Sequence, residues 1–548
     1  MMKNNILYII CLLFCVSGKA QISHGGTPLP LSITKSQEED LFIQMPEFNL
    51  REQLRQDSLE ASDFRNGYRF AYKFITDYTP DNSGIHFTLP DGTKVWRLGF
   101  YSPNAYSLNL LFSQYHLPEG ARVYLYNKDQ TEVLGSFTHL NNSALGLLPV
   151  APIVGDRIII EYQEPATVAF PGQLTIGEVN HGYRQFRISE PQPDQSNFWC
   201  MPPLACYQDT TEYYNAIERS VILLIINGTT SCTGTLVNNT AQDGKPYLLT
   251  ASHCLNERFQ LTNPDYAAVA GNIICYFNYN SPQCSPVEVG QTDQTMSSAY
   301  FRAANEKTDM ALLELLEVPP TDYNVYYAGW NAQDKGVNPY VCIHHPGGSL
   351  KRLNQVDGDI ELLTYTIQEM DFNPLTHWKV SRWSTGCTAA GSSGSPLIDG
   401  NNHIIGVLTG GSSFCSSPIN DYFFALQKSW AEPADSSKQL KCWLDPIGLE
   451  IPICDGMDTN SSGTALEGFP IETELNWSID QKNRTIHISF PAVITQASLT
   501  LITIEGKIVM QIPIHHQEAT IKTGGISPGI YIAKVVYNNK VYTKKVLF

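Results

Sequence analysis

Short segments of alternating apolar and polar residues, separated by turns that contain Pro and Gly, make up the first third of the chain. Residues 85–89 alternate, residues 90–92 (Pro-Asp-Gly) form a turn signal, and residues 94–98 alternate again, which is the pattern of a β-hairpin. Similar segments predict further strands at residues 107–112, 122–126 and 157–162. We therefore predict an N-terminal β-sandwich over residues 21–196.

Residues 471–548 show the same kind of alternation at the other end of the chain. Turn signals at Glu505-Gly506 and Asn538-Asn539 separate short apolar segments, which predicts hairpins and a C-terminal Ig-like β-sandwich. This part carries a slight excess of Lys and Arg, although the chain as a whole is acidic. It contains no cysteine, so we expect it to be a separate domain.

Two linkers separate these ends from a central region, residues 197–455. Pro191 and Pro193 mark the first linker, and residues 456–470, which contain several Gly, Ser and Thr, mark the second. The fold class that we predict is mainly β, with three domains.

Residues 1–20 have the features of a secretory signal. Lys3 precedes an apolar run at residues 6–16, and Gly18 and Ala20 stand at the positions that a signal peptidase reads. The run is too short to span a bilayer permanently. Since no later segment reaches eighteen uninterrupted apolar residues, we expect a soluble mature chain without a transmembrane segment.

Composition narrows the class of protein. Hydrophobic residues make up 43% of the 548 residues and aromatic residues 11%, which excludes a disordered or fibrous chain. The chain has 36 Lys and Arg against 53 Asp and Glu, a net charge of -17. A basic face for nucleic acid is not expected from this balance, so we expect no nucleic-acid partner.

The cysteines are confined to the central region. Of thirteen cysteines, Cys11 and Cys15 fall in the signal, and the other eleven lie between Cys200 and Cys454. In an exported protein these cysteines are expected to form disulfides. Because eleven is odd, at least one should stay free or pair with another molecule.

Three motifs in the central region carry residue types used in nucleophilic catalysis. His253 follows an apolar strand that ends in small residues, and Asp309 opens a second apolar strand. Ser393 lies in residues 391–396 (Gly-Ser-Ser-Gly-Ser-Pro). Flanking glycines allow the backbone to turn sharply, expose a hydroxyl and direct N–H groups at one point.

Each motif alone has an ordinary structural explanation, but their order along the chain favours catalysis. The order His, Asp, Ser is one of the known triad orders. An α/β-hydrolase needs Ser before the acid and His, together with a Gly-x-Ser-x-Gly turn, and the sequence around Ser393 does not fit that pattern. We predict a triad of His253, Asp309 and Ser393.

These motifs resemble the chymotrypsin-like serine peptidases, specifically the lysyl endopeptidase branch. The resemblance covers about residues 197–450 and implies a double β-barrel with the site between the barrels. The segments that carry it are residues 251–254 (Ala-Ser-His-Cys), 309–313 (Asp-Met-Ala-Leu-Leu), 343–348 (Ile-His-His-Pro-Gly-Gly), 391–396 and 443–446 (Trp-Leu-Asp-Pro).

The resemblance implies a role for each site residue. Ser393 would attack the scissile carbonyl, His253 would take its proton, and Asp309 would orient His253. The N–H groups of Gly391 and Ser393 would form the oxyanion hole. Ser392 and Ser395 are competing nucleophiles, but Ser393 alone has Gly directly after it and Gly two positions before it, as the family loop requires.

The resemblance also implies disulfides. The family bridges the positions of Cys232 and Cys254, and Cys200 and Cys206 resemble its paired N-terminal cysteines. Cys415 would pair with Cys200 as in the lysyl branch, or with Cys387 as in trypsin-like enzymes.

We expect no cofactor and no metal. A metal site built from His344, His345 and cysteines is the alternative, but the spacing of these residues does not support it.

Specificity is predicted from the segment after the nucleophile. Thr409, Gly410 and Gly411 are expected on an edge strand that pairs with the substrate backbone, with Thr409 where the family usually has His. Asp421 falls where the family places the carboxylate at the base of its specificity pocket, which would select Lys or Arg. The alternative is a solvated loop Asp.

The flanking regions add expectations about export and activation. The N-terminal part resembles the pro-region of such peptidases. The C-terminal part resembles the sorting domain of the type IX secretion system, which implies a Gram-negative source and a secreted or surface-attached protein; a glycan-binding sandwich is the alternative. Ser392 replaces the Asp that trypsin-like zymogens use on activation, so activation should require removal or displacement of residues 21–196. No Lys lies between Asp129 and Gly244, so either the pocket accepts Arg, or a second protease acts, or the N-terminal part stays attached. We favour a cut near Arg187 by an Arg-tolerant or separate enzyme.

Two functions follow from these expectations. The first is a secreted serine endopeptidase that acts on protein or peptide substrates and uses the type IX secretion machinery for export. The second is a surface adhesin that keeps a peptidase fold as a scaffold. The complete His253, Asp309 and Ser393 set favours the first.

Overall fold

The fold is known from a computed structural model. The residues that it describes are 23–31, 35–60, 67–185, 200–207, 214, 216–256, 264–282, 284, 290–367, 371–431, 435–459, 476–480, 484–489, 497–503, 507–514, 516, 518–527, 529–537 and 540–547. The predicted signal, Arg187, the Pro191 and Pro193 linker, and the turns at residues 505–506 and 538–539 lie outside the described residues.

Two sheets form the N-terminal part. The elements are α1 Lys35–Leu41, β1 Phe42–Gln44, α2 Leu50–Glu60, β2 Tyr68–Arg69, β3 Ala71–Tyr78, β4 Ile85–Thr88, β5 Lys94–Tyr101, β6 Ser107–His116, β7 Arg122–Tyr126, β8 Val133–Phe137, β9 Leu148–Pro149, β10 Ile153–Val154, β11 Arg157–Glu164 and β12 Gln173–Gly182. One sheet has the order β1-β5-β11-β7-β8, with β4 beside β5; the other has the order β10-β6-β12-β3, with β9 beside β6.

Large apolar side chains fill the space between these sheets. Trp96 and Phe100 come from one sheet, Phe112 and Ile176 come from the other, and all four are buried in one core. The predicted hairpin is present as β4 paired antiparallel with β5. This arrangement is a β-sandwich, while its role as a pro-region stays a prediction.

The first lobe of the central region is one eight-stranded sheet. Seven of its strands have the order β17-β16-β13-β14-β15-β19-β18, and the eighth, β2, pairs with β14. Its elements are β13 Val221–Ile226, β14 Thr230–Val237, β15 Tyr247–Ala251, α3 Ser252–Leu255, α4 Tyr266–Gly271, β16 Ile273–Tyr276, β17 Thr295–Ser297, β18 Ala299–Asn305 and β19 Met310–Leu315.

The second lobe is a nine-stranded sheet with the order β23-β22-β26-β27-β28-β25-β24, in which β21 pairs with β27 and β29, while β20 pairs with β30 outside it. The elements are β20 Tyr326–Tyr327, β21 Gly329–Asn331, β22 Tyr340–His344, β23 Arg352–Val356, β24 Glu361–Leu363, β25 His377–Arg382, β26 Pro396–Ile398, β27 His403–Gly411, β28 Ile419–Ala425, α5 Lys441–Leu444, β29 Ile453–Cys454 and β30 Met457–Asp458.

One hydrophobic core joins the two lobes. Leu249 and Leu312 of the first lobe are buried together with Ile343 and Val407 of the second. Nearly every position of these strands is buried, which is why their sequences read as continuous apolar runs with little alternation. The fold is the chymotrypsin-like double β-barrel that the resemblance implies.

The N-terminal sandwich and the two lobes form one compact unit, residues 1–444 and 451–460. Leu223, Ile225 and Tyr276 of the first lobe are buried in the core of the sandwich. The sequence marks a domain boundary near residue 196, but side chains from both sides of that boundary pack in one core.

The second unit comprises residues 445–450 and 461–548. Its strands are β31 Asn476–Asp480, β32 Thr485–Ser489, β33 Ala497–Thr503, β34 Ile508–Ile514, β35 Glu518–Lys522, β36 Ile530–Tyr537 and β37 Lys540–Leu547. They form a three-stranded and a four-stranded sheet around a shared core. The Ig-like assignment of this sandwich stays a prediction.

Six of the eleven cysteines outside the signal form the disulfides Cys200–Cys415, Cys206–Cys284 and Cys232–Cys254. The expectation that these cysteines generally pair is therefore wrong for part of the set. Cys275 and Cys342 keep their thiols in the interior, where burial raises their pKa and cysteine packs as a small apolar residue.

The described residues also contain 3-10 turns at His139–Asn141, Leu204–Tyr207, Ile217–Ser220, Thr321–Tyr323, Pro346–Gly348, Leu426–Lys428 and Ser436–Lys438. Within the described ranges, every helix is too short or too polar to cross a membrane.

Candidate active site

His253 and Asp309 meet at one edge of the first lobe. Strands β15 and β19 are antiparallel, with Ala251 opposite Met310, so the residues just after β15 and just before β19 lie side by side. His253 Nδ1 is 2.9 Å from Asp309 Oδ2, and the backbone N–H of His253 donates to Asp309 Oδ1 at 2.9 Å. Both side chains are fully buried.

Asp309 is fixed by further contacts. Ser252 Oγ donates to Asp309 Oδ1 at 3.1 Å, and the Ser252 N–H donates to the Asp309 carbonyl at 2.9 Å. Its φ of 65° places a non-glycine residue in the left-handed region, which these bonds maintain. A carboxylate that accepts the proton on Nδ1 leaves Nε2 of His253 as the basic nitrogen.

Two glycines shape the loop around Ser393. Gly391 has φ 91° and Gly394 has φ 85°. A Cβ at Gly394 would clash with the Thr233 carbonyl and Thr250 Oγ1, and a Cβ at Gly391 would lie 3.0 Å from the His345 carbonyl oxygen. A larger residue at Gly394 would therefore push the loop away from the first lobe, and one at Gly391 would crowd the His345 segment of the second lobe.

Strand β14 links this loop to the histidine. Thr233 donates its N–H to the Ser393 carbonyl at 2.8 Å and its hydroxyl to the Gly391 carbonyl at 2.9 Å. The preceding residue, Cys232, is bonded to Cys254, which directly follows the histidine in α3. The loop around Ser393 and His253 are thus attached to adjacent positions of one strand, Thr233 and Cys232.

The other two serines of the loop are engaged in its support. Ser392 Oγ accepts from the Ala389 N–H at 3.1 Å and lies 2.7 Å from His344 Nδ1, while His344 Nε2 lies 3.1 Å from Asn354 Oδ1. Burial lowers the pKa of His344 to about 3, so the ring is neutral and Nδ1 can accept the Ser392 proton. Ser395 Oγ donates to the Ser392 carbonyl.

The residues 343–348 segment therefore supports the loop. Both ring nitrogens of His344 are hydrogen-bonded, and His345 Nδ1 lies 2.9 Å from the Ser349 carbonyl. The Gly347 N–H donates to the Ala390 carbonyl at 2.7 Å, directly before Gly391. A metal site that includes His344 does not fit these contacts.

The N–H groups of Gly391 and Ser393 have no acceptor among the described residues. The neighbouring Ser392 N–H donates to the Ala389 carbonyl, which closes the turn and leaves the other two N–H groups available. Two available donors on either side of one bonded donor suit an incoming anionic oxygen.

Asp421 is a buried carboxylate on β28, so the solvated-loop alternative is wrong. Its Oδ2 accepts three bonds, from Trp383 Nε1 at 2.6 Å, Ser413 Oγ at 2.6 Å and Thr388 Oγ1 at 2.9 Å. Its Oδ1 is buried without a partner in the described part of the chain. Burial raises the pKa of this carboxyl above its ordinary value, against the effect of the three donors.

Strand β27 brings the predicted substrate-binding residues to this carboxylate. Gly411 lies opposite Asp421 in the ladder, and a Cβ on Gly411 would clash with Asp421 Oδ1. A register shift separates Leu408 from Gly410, and Thr409 is fully buried between them. The unpartnered oxygen therefore points towards Gly411.

The Cys200–Cys415 disulfide lies next to Cys387, the alternative partner predicted for Cys415. Cys387 Sγ is 3.4 Å from Cys200 Sγ, and burial raises the pKa of the Cys387 thiol to about 12. Since two of these three sulfur atoms are bonded to each other, the cluster does not offer three thiolates to a metal. The pairing agrees with the lysyl branch.

Two parts of the chain match known sequence families. Residues 196–424 match the lysyl endopeptidase C-terminal domain family, and residues 482–548 match the secretion system C-terminal sorting domain family. Residues 196–424 form a lysyl endopeptidase-type domain. The sorting domain assigns the chain to type IX secretion, to the cell surface or the medium.

The lysyl endopeptidase of Pseudomonas aeruginosa is 27% identical to this chain over 297 residues, which cover 50% of this chain and 60% of that protein. The chain thus spans about three fifths of the length of this curated relative. The lysyl endopeptidase-type domain here contains all the site residues described above, since Asp421 lies just inside the matched range.

Solved structures with similar folds include other proteins of low identity. An inactive mutant of Rv3671c from M. tuberculosis H37Rv is 17% identical, with a TM-score of 0.26, and the match covers 44% of this chain and 92% of that one. A Glu endopeptidase is 19% identical, with a TM-score of 0.24, and the match covers 38% of this chain and 86% of that one.

Proposed function

We propose that the lysyl endopeptidase-type domain hydrolyses peptide bonds through His253, Asp309 and Ser393, and that it cuts after Lys. The observation that carries the proposal is the buried hydrogen-bonded pair of His253 and Asp309, attached through β14 to the loop that bears Ser393. The adhesin alternative has no comparable support, because a scaffold does not need a fully buried His–Asp pair.

Each residue has a defined chemical task in this proposal. Ser393 Oγ attacks the scissile carbonyl, and His253 Nε2 takes the hydroxyl proton and later gives it to the leaving amine. Asp309 holds the ring and stabilises the imidazolium that forms. The N–H groups of Gly391 and Ser393 receive the developing oxyanion, and one such donor typically contributes about 3 kcal/mol to the transition state.

The choice of Ser393 over its neighbours is supported by their contacts. Ser392 Oγ bonds to His344 and to the Ala389 N–H, and Ser395 Oγ bonds to the Ser392 carbonyl. Both hydroxyls would have to break these bonds before they could attack a substrate. Ser393 Oγ has no such bond to any of the described residues.

The preference for Lys is supported by the state of Asp421. A buried carboxylate with an unpartnered oxygen is unfavourable until a cation reaches it. Three donors already occupy Oδ2, so a single oxygen is left for the substrate. A guanidinium binds best when both oxygens are available, whereas an ammonium is a point charge that one oxygen can serve. We therefore expect Lys to be preferred over Arg.

Labelling with a fluorophosphonate tests the proposal. After limited proteolysis of the N-terminal region, the unaltered chain should be labelled, and Ser393→Ala should not. Ser395→Ala is the matched control and should keep its label, because its hydroxyl only supports the loop. Equal labelling of Ser393→Ala and the unaltered chain would contradict the assignment of the nucleophile. A peptide library then reads out the residue before the cut.

A further inference from the structure

Strand β2 belongs to the N-terminal sandwich by sequence, yet it pairs with the first lobe. Tyr68 lies opposite Ser231 and Arg69 lies opposite Thr230, in antiparallel register with β14. The Phe70 N–H continues the ladder to the Thr229 carbonyl at 2.9 Å. An extended segment of one domain is therefore added to the sheet of the other.

The same edge of β14 carries the nucleophile loop. Alternate residues of a strand direct their backbone groups to the same side. Thr235 pairs with β15, Thr233 donates its N–H to the Ser393 carbonyl, and Ser231 pairs with Tyr68. Successive positions along such an edge are about 7 Å apart. The backbone of Tyr68 is thus one step along the strand from Ser393.

On its other side, the loop around Ser393 is hydrogen-bonded to a different strand, β27. The Gly394 N–H donates to the Leu408 carbonyl at 3.0 Å, which joins the loop to β27, the predicted partner of the substrate residues before the cut. A peptide whose carbonyl lies at Ser393 continues away from β27, towards the Ser231 edge of β14. Residues after the cut would need the edge that β2 fills.

We propose that β2 occupies the binding site for the leaving portion of the substrate, so that the N-terminal domain blocks the peptidase by strand addition. This inference rests on the proposed function. Gly67 allows the close approach: a Cβ there would lie 3.4 Å from Cys232 Sγ and 2.7 Å from the Ser231 carbonyl oxygen. The blocking segment, residues 67–70, therefore lies against the Cys232–Cys254 disulfide, which holds His253 of α3.

The blocking segment is anchored in its own domain. Phe70 is fully buried in the sandwich core, and its carbonyl accepts the N–H groups of Tyr183 and Arg184. Arg69 pairs with Asp57 of α2 at 3.1 Å, and the same carboxylate pairs with Arg184 at 2.9 Å. As long as the sandwich is folded and docked, β2 is held at the edge of β14.

Docking also has an apolar component that does not depend on the linker. Leu223, Ile225 and Tyr276 of the first lobe are buried in the sandwich core. A cut between residues 185 and 200 would sever the chain but leave these contacts in place. Activation therefore requires dissociation or digestion of the sandwich after the cut.

Paired substitutions at Tyr68 test the proposal. Tyr68→Pro removes the N–H and disrupts the ladder, whereas Tyr68→Ala keeps the backbone donor and loses only the ring. In the inactive Ser393→Ala full chain, the amides of residues 229–233 should exchange faster with Tyr68→Pro than with Tyr68→Ala. Equal exchange in the two would overturn strand addition, and this readout does not depend on activity.

Two substrates then measure the block in the full chain that keeps Ser393. One is a lysyl peptide with four residues after the cut, and the other is a lysyl nitroanilide with none. Tyr68→Pro should raise kcat/KM for the long peptide about 10-fold, the typical effect of losing a backbone hydrogen bond, and Tyr68→Ala should change it less than twofold. The nitroanilide should gain less than the long peptide in Tyr68→Pro.

The outcomes separate the two proposals. If Ser393 is labelled by fluorophosphonate but Tyr68→Pro leaves the long-peptide rate unchanged, the block by β2 is wrong. If digestion of the sandwich yields no labelling at all, the proposed function is wrong, while hydrogen exchange still decides strand addition. Should Tyr68→Pro fail to fold, Asp57→Asn removes the charge that anchors Arg69 and should relieve the block in the same direction.

Discussion

The loop around Ser393 and the surroundings of Asp421 differ in how completely their polar groups are hydrogen-bonded. In the loop, Ser392 and Ser395 are hydrogen-bonded, and the supporting His344 is bonded at both ring nitrogens. Asp421, by contrast, has three donors on Oδ2 and, among the described residues, none on Oδ1. The serine and histidine side chains that support the loop are thus hydrogen-bonded, whereas only one of the two Asp421 oxygens is.

This difference fits the tasks that we propose for the two regions. A reacting group must be positioned before the substrate arrives, which favours a loop that hydrogen bonds within the protein already hold in place. A selective pocket gains discrimination when only the correct substrate satisfies a buried charge. Changes in the loop should therefore affect kcat, and changes in the pocket should affect the choice of substrate and the stability of the empty enzyme.

The largest effect is expected from Ser393→Ala. Removal of the nucleophile should lower kcat on the order of 10⁶-fold, as in a related triad. The thermal unfolding midpoint should hardly change, because the Ser393 hydroxyl does not support the loop. Steady-state kinetics and calorimetry on the digested enzyme check both statements. A loss below tenfold would mean that another residue carries the reaction.

Asp421→Asn should have the next largest effect: it should lower kcat/KM for lysyl substrates and raise the stability of the empty enzyme. Loss of the buried charge should reduce kcat/KM for lysyl substrates by about 10³-fold, the cost of breaking a buried ion pair, while substrates with neutral residues are little affected. A library profile that still favours Lys in this variant would rule out Asp421 as the selecting group.

The same substitution, Asp421→Asn, should increase the stability of the folded enzyme although it lowers the rate. Because burial raises the pKa of Asp421 above its ordinary value of 3.8, the folded empty enzyme binds this proton more tightly than the unfolded chain. The resulting stability is present at low pH and is lost as pH rises through the raised pKa. Asp421→Asn should therefore melt at a higher temperature than the unaltered enzyme at neutral pH, and the difference should shrink on acidification.

Much of this arrangement could be predicted from local sequence. The hairpin at residues 85–98 is present as β4 and β5, and the His253 and Asp309 motifs meet as predicted because each stands at the end of an apolar strand. The pairing of Cys415 needed the structure, since both candidate partners, Cys200 and Cys387, lie near its sulfur.

Other parts could not be predicted because their partners are far away in sequence. Thr233 bonds to a carbonyl 158 positions later, and nothing in its own surroundings marks it. Strand β2 has two residues, too few for a periodic pattern, and its partner Ser231 lies 163 positions from Tyr68. The role of His344 was likewise hidden, because a His-His pair suggests a metal as readily as a loop support.

His344→Ala tests whether the loop acts through its support. The variant leaves the Ser392 hydroxyl and Asn354 without their buried partner, which typically costs about 1 to 3 kcal/mol. We expect kcat to fall about tenfold with KM little changed, since the substrate pocket is untouched. Asn354→Ala removes the other end of the same network and should change kcat in the same direction by less. A fall in stability without any change in kcat would make His344 purely structural.

The smallest effect is expected from Thr388→Val, which removes one of the three donors to Asp421 Oδ2. A hydrogen bond to the charged form lowers a carboxyl pKa, so its loss should raise the pKa of Asp421 further. The acid limb of kcat/KM for lysyl substrates should then move to higher pH, and the rate at neutral pH should fall by up to about tenfold. Thr388→Ser keeps the donor and should restore the profile of the unaltered enzyme. An acid limb that is the same in Thr388→Val and Thr388→Ser would show that this limb belongs to another group.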